Sequence, residues 1–162
     1  MNMHTTVIAS ARTEPPPPDD STRAALHARE HAACFACGIR PEPGLGLRFT
    51  TPAPGEDALA DWCPPAWAIS YQNTVHGGLV ATVLDGAMVH ALFAREHVAR
   101  TAELSIRYRR SVLPLLSCVI RARLVRRRGS LFQLEATLHQ AGLLCAQASS
   151  TFISTGRSGC LP

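Results

Sequence analysis

The longest apolar segment of the chain runs from Gly77 to Ala94. Its apolar residues recur at spacings of one, three and four, which predicts a helix. Asp85 and His90 interrupt the segment, and an acid at the centre of a bilayer costs about 2.5 to 3.5 kcal/mol, so we do not expect a membrane span. Because the helix is apolar on nearly all sides, we expect other elements to surround it.

Four later segments alternate apolar and polar residues with a period of two. They lie at residues 104–108, 120–124, 132–138 and 144–152. Gly129 and Gly142 fall between segments, where hairpin turns need glycine. This pattern predicts an antiparallel sheet with one buried face, and an α+β fold in which the long helix lies in the concave face of the sheet.

The regions outside this core are less regular. Gly44 to Thr51 and Ala58 to Trp62 predict two short strands around a turn rich in proline. The expected organisation is a disordered Pro-rich tail over 1–20, a short helix over 21–33, the main domain over 34–155 and a C-terminal tail over 156–162.

The composition suits one folded domain. The chain has 162 residues and a mass of 17.4 kDa, and its 46% hydrophobic content with 17% charged residues excludes wholesale disorder. All sixteen basic residues are arginine. Residues 1–12 lack the features of a signal peptide, so we expect a cytoplasmic protein with reduced cysteines.

Two glycines follow His76 at the predicted start of the long helix. The first backbone amides of a helix lack partners within it, and the helix dipole favours negative charge there. Gly77 and Gly78 therefore predict a site for a developing anion. The alternative is that these glycines only allow the helix start to pack closely on a strand.

Asp85 is the second candidate. Its helical neighbours at three and four residues are Ala81, Thr82, Met88 and Val89, and none of them forms ion pairs. A carboxylate in so apolar a helix is costly unless it has a partner elsewhere or faces a cavity. Asp85 is therefore a candidate catalytic acid, and the alternative is a structural acid that bonds to a neighbouring segment.

The ten residues from His76 to Asp85, HGGLVATVLD, resemble the signature of hotdog-fold acyl-CoA thioesterases in the PaaI-like branch, which is named for phenylacetic acid degradation. Thr101 to Tyr108 resembles the strand that follows the helix in that family, and the segments 34–38 and 44–49 resemble the lead-in of many members. The resemblance covers about residues 34–153. It implies the hotdog fold, a central helix wrapped by a sheet.

The resemblance also implies hydrolysis of an acyl-CoA thioester at the interface of a homo-oligomer, a dimer or a dimer of dimers, without a cofactor. By this comparison the Gly78 amide polarises the thioester carbonyl and His76 helps to position it. Asp85 of the other subunit attacks the carbonyl or activates a water. Thr101 matches a position with a hydroxyl near the acid, where it would hold the water, and the alternative is a threonine that only starts a strand.

Two positions depart from the family pattern. Ser70 stands where many relatives have Asn or Gln, and Asn73 stands where they have Gly. Asn tolerates left-handed backbone angles, so the loop survives that change. Ser70, Gln72 and Asn73 remain alternatives for orienting the nucleophile. The candidate substrate-binding residues are Gly77, Ser70, Asn73, Met88, Arg126, Arg127 and Arg128.

The last three of these belong to an arginine-rich region. Ten arginines and two glutamates lie between Arg95 and Arg128, which suggests affinity for a polyanion. Arg126 to Arg128 precede the Gly129 turn and are the candidates for CoA phosphate contact. The alternation places four other arginines on an outward face that is solvated or faces another subunit: Arg107, Arg109, Arg121 and Arg123. Since no nucleic-acid-binding motif accompanies them, we expect no nucleic acid partner.

Cys34 and Cys37 have the spacing of half a zinc site, and His31 lies three residues before Cys34. The other four cysteines are scattered singly, so the sequence predicts no metal. A rival to the enzyme is a non-catalytic acyl-CoA-binding protein. Asp85 favours the enzyme, because a protein that only binds has little use for a buried acid.

Overall fold

A long helix lies against one face of a five-stranded antiparallel sheet in the computed structural model, which describes residues 20–38, 44–52 and 57–154. The elements in chain order are α1 (Asp20–Glu30), β1 (Ala58–Trp62), β2 (Ile69–Tyr71), β3 (Thr74–Val75), α2 (Gly77–Phe93), β4 (Ala99–Tyr108), β5 (Cys118–Arg128), β6 (Leu131–Gln140) and β7 (Leu143–Ser154). The strand order is β1-β5-β6-β7-β4, and β2 pairs with β3 as a separate hairpin. The predicted α+β fold, a hotdog, is confirmed.

Helix α2 supplies the centre of the core. It packs against all five strands of the sheet, and Val83, Leu84 and Met88 are fully buried. Burial of one such side chain contributes about 1.5 to 3 kcal/mol, so the packing of the sheet around α2 is a main source of the stability of the fold. In the described part of the chain, neither helix has the length and apolar content needed to cross a membrane.

The sheet follows the predicted period of two. Inward residues of β6 are buried and its outward ones are mostly exposed. The hairpin turns contain Gly129 and Gly142 with φ of 61° and 75°, as expected for positions that need glycine. The prediction of a strand over 44–51 is wrong, since the structure has only an isolated bridge there, between Thr50 and Leu59. A peptide paired at one position cannot form a ladder.

The N-terminal helix and the two tails were expected outside the sheet. A helix occupies Asp20–Glu30 where 21–33 was expected. The expected tails at 1–20 and 156–162 lie outside the described residues, apart from Asp20. The turn at 53–55 also falls outside them.

The buried amide of Gln140 fixes the loop that connects β4 to β5. Its Oε1 accepts a hydrogen bond from the Leu113 backbone N–H at 2.9 Å, and its Nε2 donates to the carbonyls of Leu113 and Leu116 at 2.9 and 2.8 Å. The Val112 carbonyl in turn accepts from Val75, just before α2. The loop is thereby held beside the N-terminus of the helix.

The short β2–β3 hairpin leads directly into α2. Its turn contains Asn73, whose φ of 56° is left-handed. The expected tolerance of Asn for this conformation is confirmed at this position. The turn sets the direction in which the chain reaches His76.

Changing Asn73 tests this turn. Asn73→Ala should lower the free energy of unfolding by about 1 kcal/mol, because a β-carbon is disfavoured at left-handed angles, while Asn73→Gly should leave stability nearly unchanged. Urea unfolding of both variants, with equal m values, measures the difference. Equal stability of the two variants would contradict a turn that depends on its positive φ.

Candidate active site

His76 caps the N-terminus of α2. Its backbone angles, φ −58° and ψ 127°, are extended, and its Nδ1 accepts a hydrogen bond from the Gly78 backbone N–H at 2.9 Å. The amides of Leu79 and Val80 donate to the His76 carbonyl at 2.9 and 3.2 Å. Of the first four helical amides, the Gly77 amide is the one for which the described residues supply no such partner.

Tyr108, near the end of β4, closes over the start of the helix. Its hydroxyl donates a hydrogen bond to the Gly77 carbonyl at 2.8 Å. A β-carbon on Gly77 would lie 3.4 Å from the tyrosine ring, so a methyl group would just fit between the helix start and the ring. Partial burial raises the pKa of the Tyr108 hydroxyl, which keeps it a donor.

An open cleft of about 770 Å³ lies in front of this helix end. Ser70 lines the cleft, as do Arg109 and Arg110 of the β4–β5 loop. Met88 does not line it, which corrects the expectation for that residue, because its side chain is fully buried in the core. The lining residues are Ser70, Tyr71, Thr74, Val75, His76, Gly77, Gly78, Val80, Tyr108, Arg109, Arg110, Ser111 and Val112.

Asp85 lies two turns further along α2. It is half-buried, and its Oδ1 accepts a hydrogen bond from the Thr101 hydroxyl of β4 at 2.7 Å. Burial raises the pKa of the Asp85 carboxyl, and the Thr101 hydrogen bond lowers it. The charges of Cys34 and His31 act on it in opposite directions, Cys34 raising the pKa and His31 lowering it. The Thr101 hydroxyl therefore orients Oδ1 of Asp85, and the remaining lone pairs of the carboxylate are available to accept further hydrogen bonds.

The acid and the helix N-terminus do not form one site within a chain. Seven residues of α2 separate Gly78 from Asp85, which at 1.5 Å per residue is roughly 10 Å. A group held at the Gly78 amide is thus well beyond hydrogen-bond reach of the acid in the same chain.

The arginine cluster lies at the other end of the helix. Arg127 approaches His97, which follows the C-terminal end of α2, at 3.4 Å, and its guanidinium lies 5.3 Å from the centre of the Phe132 ring. Arg126 and Arg128 are exposed beside it. Within one chain, the structure does not bring these residues to the cleft.

A second cluster of chemically active side chains lies where the N-terminal segment crosses α2. His31, Cys34 and Cys37 have metal-ligating atoms within 4.8 Å of one another, and so do His27, Cys37 and His90. Cys37 belongs to both groups and is fully buried. These five residues are the ones in the described part of the chain that could hold a metal ion by proximity.

Sequence reasoning missed several of these residues. From the sequence, Tyr108 was interpreted only as an inward residue of a strand. The resemblance of Thr101 to Tyr108 to the family's strand was the signal that this strand contributes to the site. Arg109 was expected on the outward face of the sheet, but it lines the cleft with Arg110, for which the sequence gave no separate signal. His27 lies four residues before His31, a spacing that places both on one side of a helix. His90 gave no signal beyond interrupting an apolar segment.

The comparisons with known proteins agree with this architecture. Residues 72–146 match the family model of the thioesterase superfamily. A comparison with curated protein sequences finds no match.

Solved structures with the same fold include three proteins at low sequence identity. The PaaI protein of the phenylacetic acid degradation operon of E. coli has a TM-score of 0.71 at 14% identity, covering 84% of this chain and 93% of that one. A phenylacetic acid degradation-related protein of Ralstonia eutropha JMP134 has a TM-score of 0.67 at 20% identity, covering 82% and 98%. The smu.793 protein of Streptococcus mutans UA159, bound to acetyl-CoA, has a TM-score of 0.65 at 19% identity, covering 70% and 91%. At these identities the likeness is one of fold.

The capping role of His76 can be separated from any chemical role. His76→Ala should lower the free energy of unfolding by about 1 kcal/mol, because the Gly78 amide loses its acceptor, whereas His76→Asn should restore most of that stability, since Asn is a preferred N-cap. Thermal or urea unfolding measures both. If the Ala variant is as stable as the original chain, the Nδ1 contact contributes nothing to the cap.

Proposed function

We propose that this chain is a member of the hotdog-fold thioesterase superfamily and that it hydrolyses the thioester bond of an acyl-CoA to a free acid and CoA. The observation that carries the proposal is the position of Asp85, a half-buried carboxylate of α2 that the Thr101 hydroxyl of β4 orients. The N-terminal amides of the same helix face an open cleft. The acetyl-CoA bound to the smu.793 protein shows that a chain of this fold accepts such a ligand. The acyl group itself stays unspecified.

The active site, in this proposal, is shared by two copies of the chain. β4 is an edge strand of the sheet, paired only with β7 among the described elements, and its outer side is free for another strand. Thr101, near its beginning, contacts Asp85, and Tyr108, at its end, contacts Gly77. Antiparallel pairing of two β4 strands about a two-fold axis brings the beginning of one strand to the end of the other. Asp85 of one copy then lies beside the helix N-terminus of its partner.

The reaction needs little beyond these parts. The thioester carbonyl points at the N-terminus of α2, where backbone amides and the helix dipole stabilise the negative charge that develops on its oxygen. Asp85 either accepts a proton from a water that attacks the carbonyl carbon or attacks that carbon itself to form an anhydride that water then opens. The carbon–sulfur bond breaks, and CoA leaves as a thiolate that takes up a proton.

The cap at His76 bears on which amide binds the carbonyl. The Gly78 amide already donates to the His76 ring, so the substrate oxygen either displaces that ring or uses the neighbouring Gly77 amide. The His76 side chain is exposed, so its displacement would not disturb buried packing. In both cases His76 adjusts the position of the carbonyl rather than taking its proton.

The same pairing bears on Arg126 to Arg128. These residues lie at the α2 end that adjoins the beginning of β4. When two β4 strands pair, this end approaches the partner's cleft. We therefore assign the three arginines to the CoA phosphates of the partner's substrate, with Arg109 and Arg110 on the cleft's own side.

Asp85→Asn tests the chemical role of the acid. The variant keeps the side-chain volume and removes the basicity, so kcat should fall a hundredfold or more, the size of a general-base contribution of about 10² to 10⁴, while KM changes little. Turnover over a panel of short, branched and aryl acyl-CoAs, with the melting temperature of the same preparation, measures both effects. Asp61→Asn, which alters an exposed acid on β1, is the matched control and should keep full activity.

Mixing two inactive variants tests the shared site directly. Gly78→Pro removes the amide hydrogen in the first turn of α2, where proline is tolerated, and its β-carbon displaces the exposed His76 ring, from which it would otherwise lie 2.9 Å. Loss of activity in this variant alone would assign the carbonyl to the Gly78 amide, and retained activity would assign it to the Gly77 amide. Random pairing with Asp85→Asn should recover about one quarter of the original activity, because half of the dimers are mixed and each of these has one intact site. No recovery would place both groups in one chain.

A stable and fully active Asp85→Asn enzyme would defeat the mechanism. A chain that binds acyl-CoA without hydrolysing it would be the non-catalytic alternative.

Replacing Arg126, Arg127 and Arg128 together by Gln should raise KM for CoA esters about tenfold and flatten its salt dependence, with kcat nearly unchanged. The reason is that phosphates far from the reacting carbon contribute the same binding to substrate and transition state. A control of equal charge replaces Arg107, Arg121 and Arg123, which are exposed on the outer face of the sheet. An equal rise of KM in both triple variants would point to overall charge instead of a phosphate site.

A further inference from the structure

The N-terminal segment places three metal-ligating side chains together beside α2. Cys37 Sγ lies 3.8 Å from His31 Nδ1, and Cys34 Sγ is within 4.8 Å of both. In a tetrahedral zinc site with Zn–S of about 2.3 Å and Zn–N of about 2.0 Å, ligand atoms are about 3.5 to 3.8 Å apart. The spacing in the structure is thus close to that of a zinc site and needs only small side-chain movements.

His90 supplies an independent observation. It lies on the buried side of α2 with 1% of its surface exposed, and neither ring nitrogen has a hydrogen-bond partner among the described residues. Its ring stacks on Phe49 with centroids 4.4 Å apart, which fixes its plane. A nitrogen of this ring lies within 4.8 Å of Cys37 Sγ. Buried polar groups nearly always have a partner, so an unpartnered imidazole beside a cysteine pair calls for one.

We propose that His31, Cys34 and Cys37 bind one zinc ion where the N-terminal segment crosses α2. His90, whose ring nitrogen groups with Cys37 and His27 but not with Cys34 or His31, becomes the fourth ligand when the segment moves closer to α2. Two thiolates and two imidazoles form a common tetrahedral donor set for zinc. The softness of the sulfur ligands excludes magnesium and calcium, which take oxygen ligands. This inference does not depend on the proposed thioester hydrolysis.

His27 completes the arrangement as a supporting residue. Its Nε2 hydrogen-bonds the Cys37 carbonyl at 2.8 Å, and its ring contacts His90 edge-on at 4.8 Å between centroids. These contacts orient the cysteine and the imidazole that we assign as ligands, the function that outer residues commonly serve around a metal. His27 therefore belongs around the ion and not on it.

The ion would attach the N-terminal segment to the central helix. Gly86 of α2 allows this segment to approach closely, since a β-carbon there would lie 3.3 Å from the Ala36 side chain. Since Gly86 follows Asp85 directly, the ion would hold the N-terminal segment against the part of α2 that contains this acid. The proposal departs from the expectation drawn from the sequence, which lacked a second ligand pair, because folding brings His90 close to Cys37.

Metal analysis of the purified full-length chain tests the proposal. Elemental analysis should find about one zinc per chain. After removal of zinc with a chelator, titration with Co²⁺ alone should saturate at one equivalent, with the visible bands of tetrahedral cobalt and a thiolate-to-metal charge-transfer band. The melting temperature of the metal-free chain should fall and recover on addition of Zn²⁺.

Variants identify the ligands. Cys34→Ser changes a half-buried residue and should fold, with its zinc content near zero, whereas Cys63→Ser, at an exposed cysteine after β1, should keep about one zinc. His90→Leu should weaken zinc binding at least tenfold and change the visible cobalt bands while the thiolate band persists. Without a metal, Leu at a buried, unpartnered histidine would be harmless or stabilising.

Three results would overturn the proposal. One is a chain purified under reducing conditions that contains no zinc and gives no tetrahedral cobalt spectrum. Another is a Cys34–Cys37 disulfide, seen as a mass two hydrogens lower, that re-forms in the presence of Zn²⁺. The third is a His90→Leu variant with unchanged zinc affinity.

Discussion

The burial of α2 is the constraint on which the rest of the structure depends. The helix has no polar face, so the sheet curves around it and the N-terminal segment covers what the sheet leaves open. The Thr82 hydroxyl donates to the Gly78 carbonyl within the helix, but the two titratable side chains of α2 need partners outside it. Asp85 finds the Thr101 hydroxyl, and His90 lies beside Cys37 without a hydrogen bond from any described residue. Both titratable positions of the helix lead to a chemical proposal for this reason.

The same burial explains why one chain offers an incomplete site. Because the middle of α2 is enclosed, only its N-terminal end faces the open cleft, and the acid lies two turns away. β4 follows the helix along this distance and contacts it at both places through Thr101 and Tyr108. An edge strand that contacts both parts of the site is the natural place for a second copy, since antiparallel pairing exchanges its two ends.

Stability and chemistry compete at the start of α2. The His76 ring that completes the helix cap takes one of the two amides that the proposed reaction offers to a substrate carbonyl. A substrate that displaces the ring therefore exchanges one acceptor for another, which keeps the cost of binding low. At the proposed zinc site stability and chemistry act together, because a zinc ion would supply the partner that His90 lacks and would also stabilise the fold.

Periodicity in the sequence was sufficient to predict the central helix, the four long strands and the glycine turns, because these depend on neighbours a few residues apart. It also singled out Asp85 and the HGG segment, since an acid and paired glycines are conspicuous in an apolar helix. Only the tertiary structure decided what these residues contact: that Tyr108 reaches Gly77, that Met88 faces the core, and that His90 meets Cys37. Such contacts join residues that are far apart in the sequence. They depend on how the helix is rotated against the sheet and on where the N-terminal segment crosses it, and a pattern of local spacing contains neither.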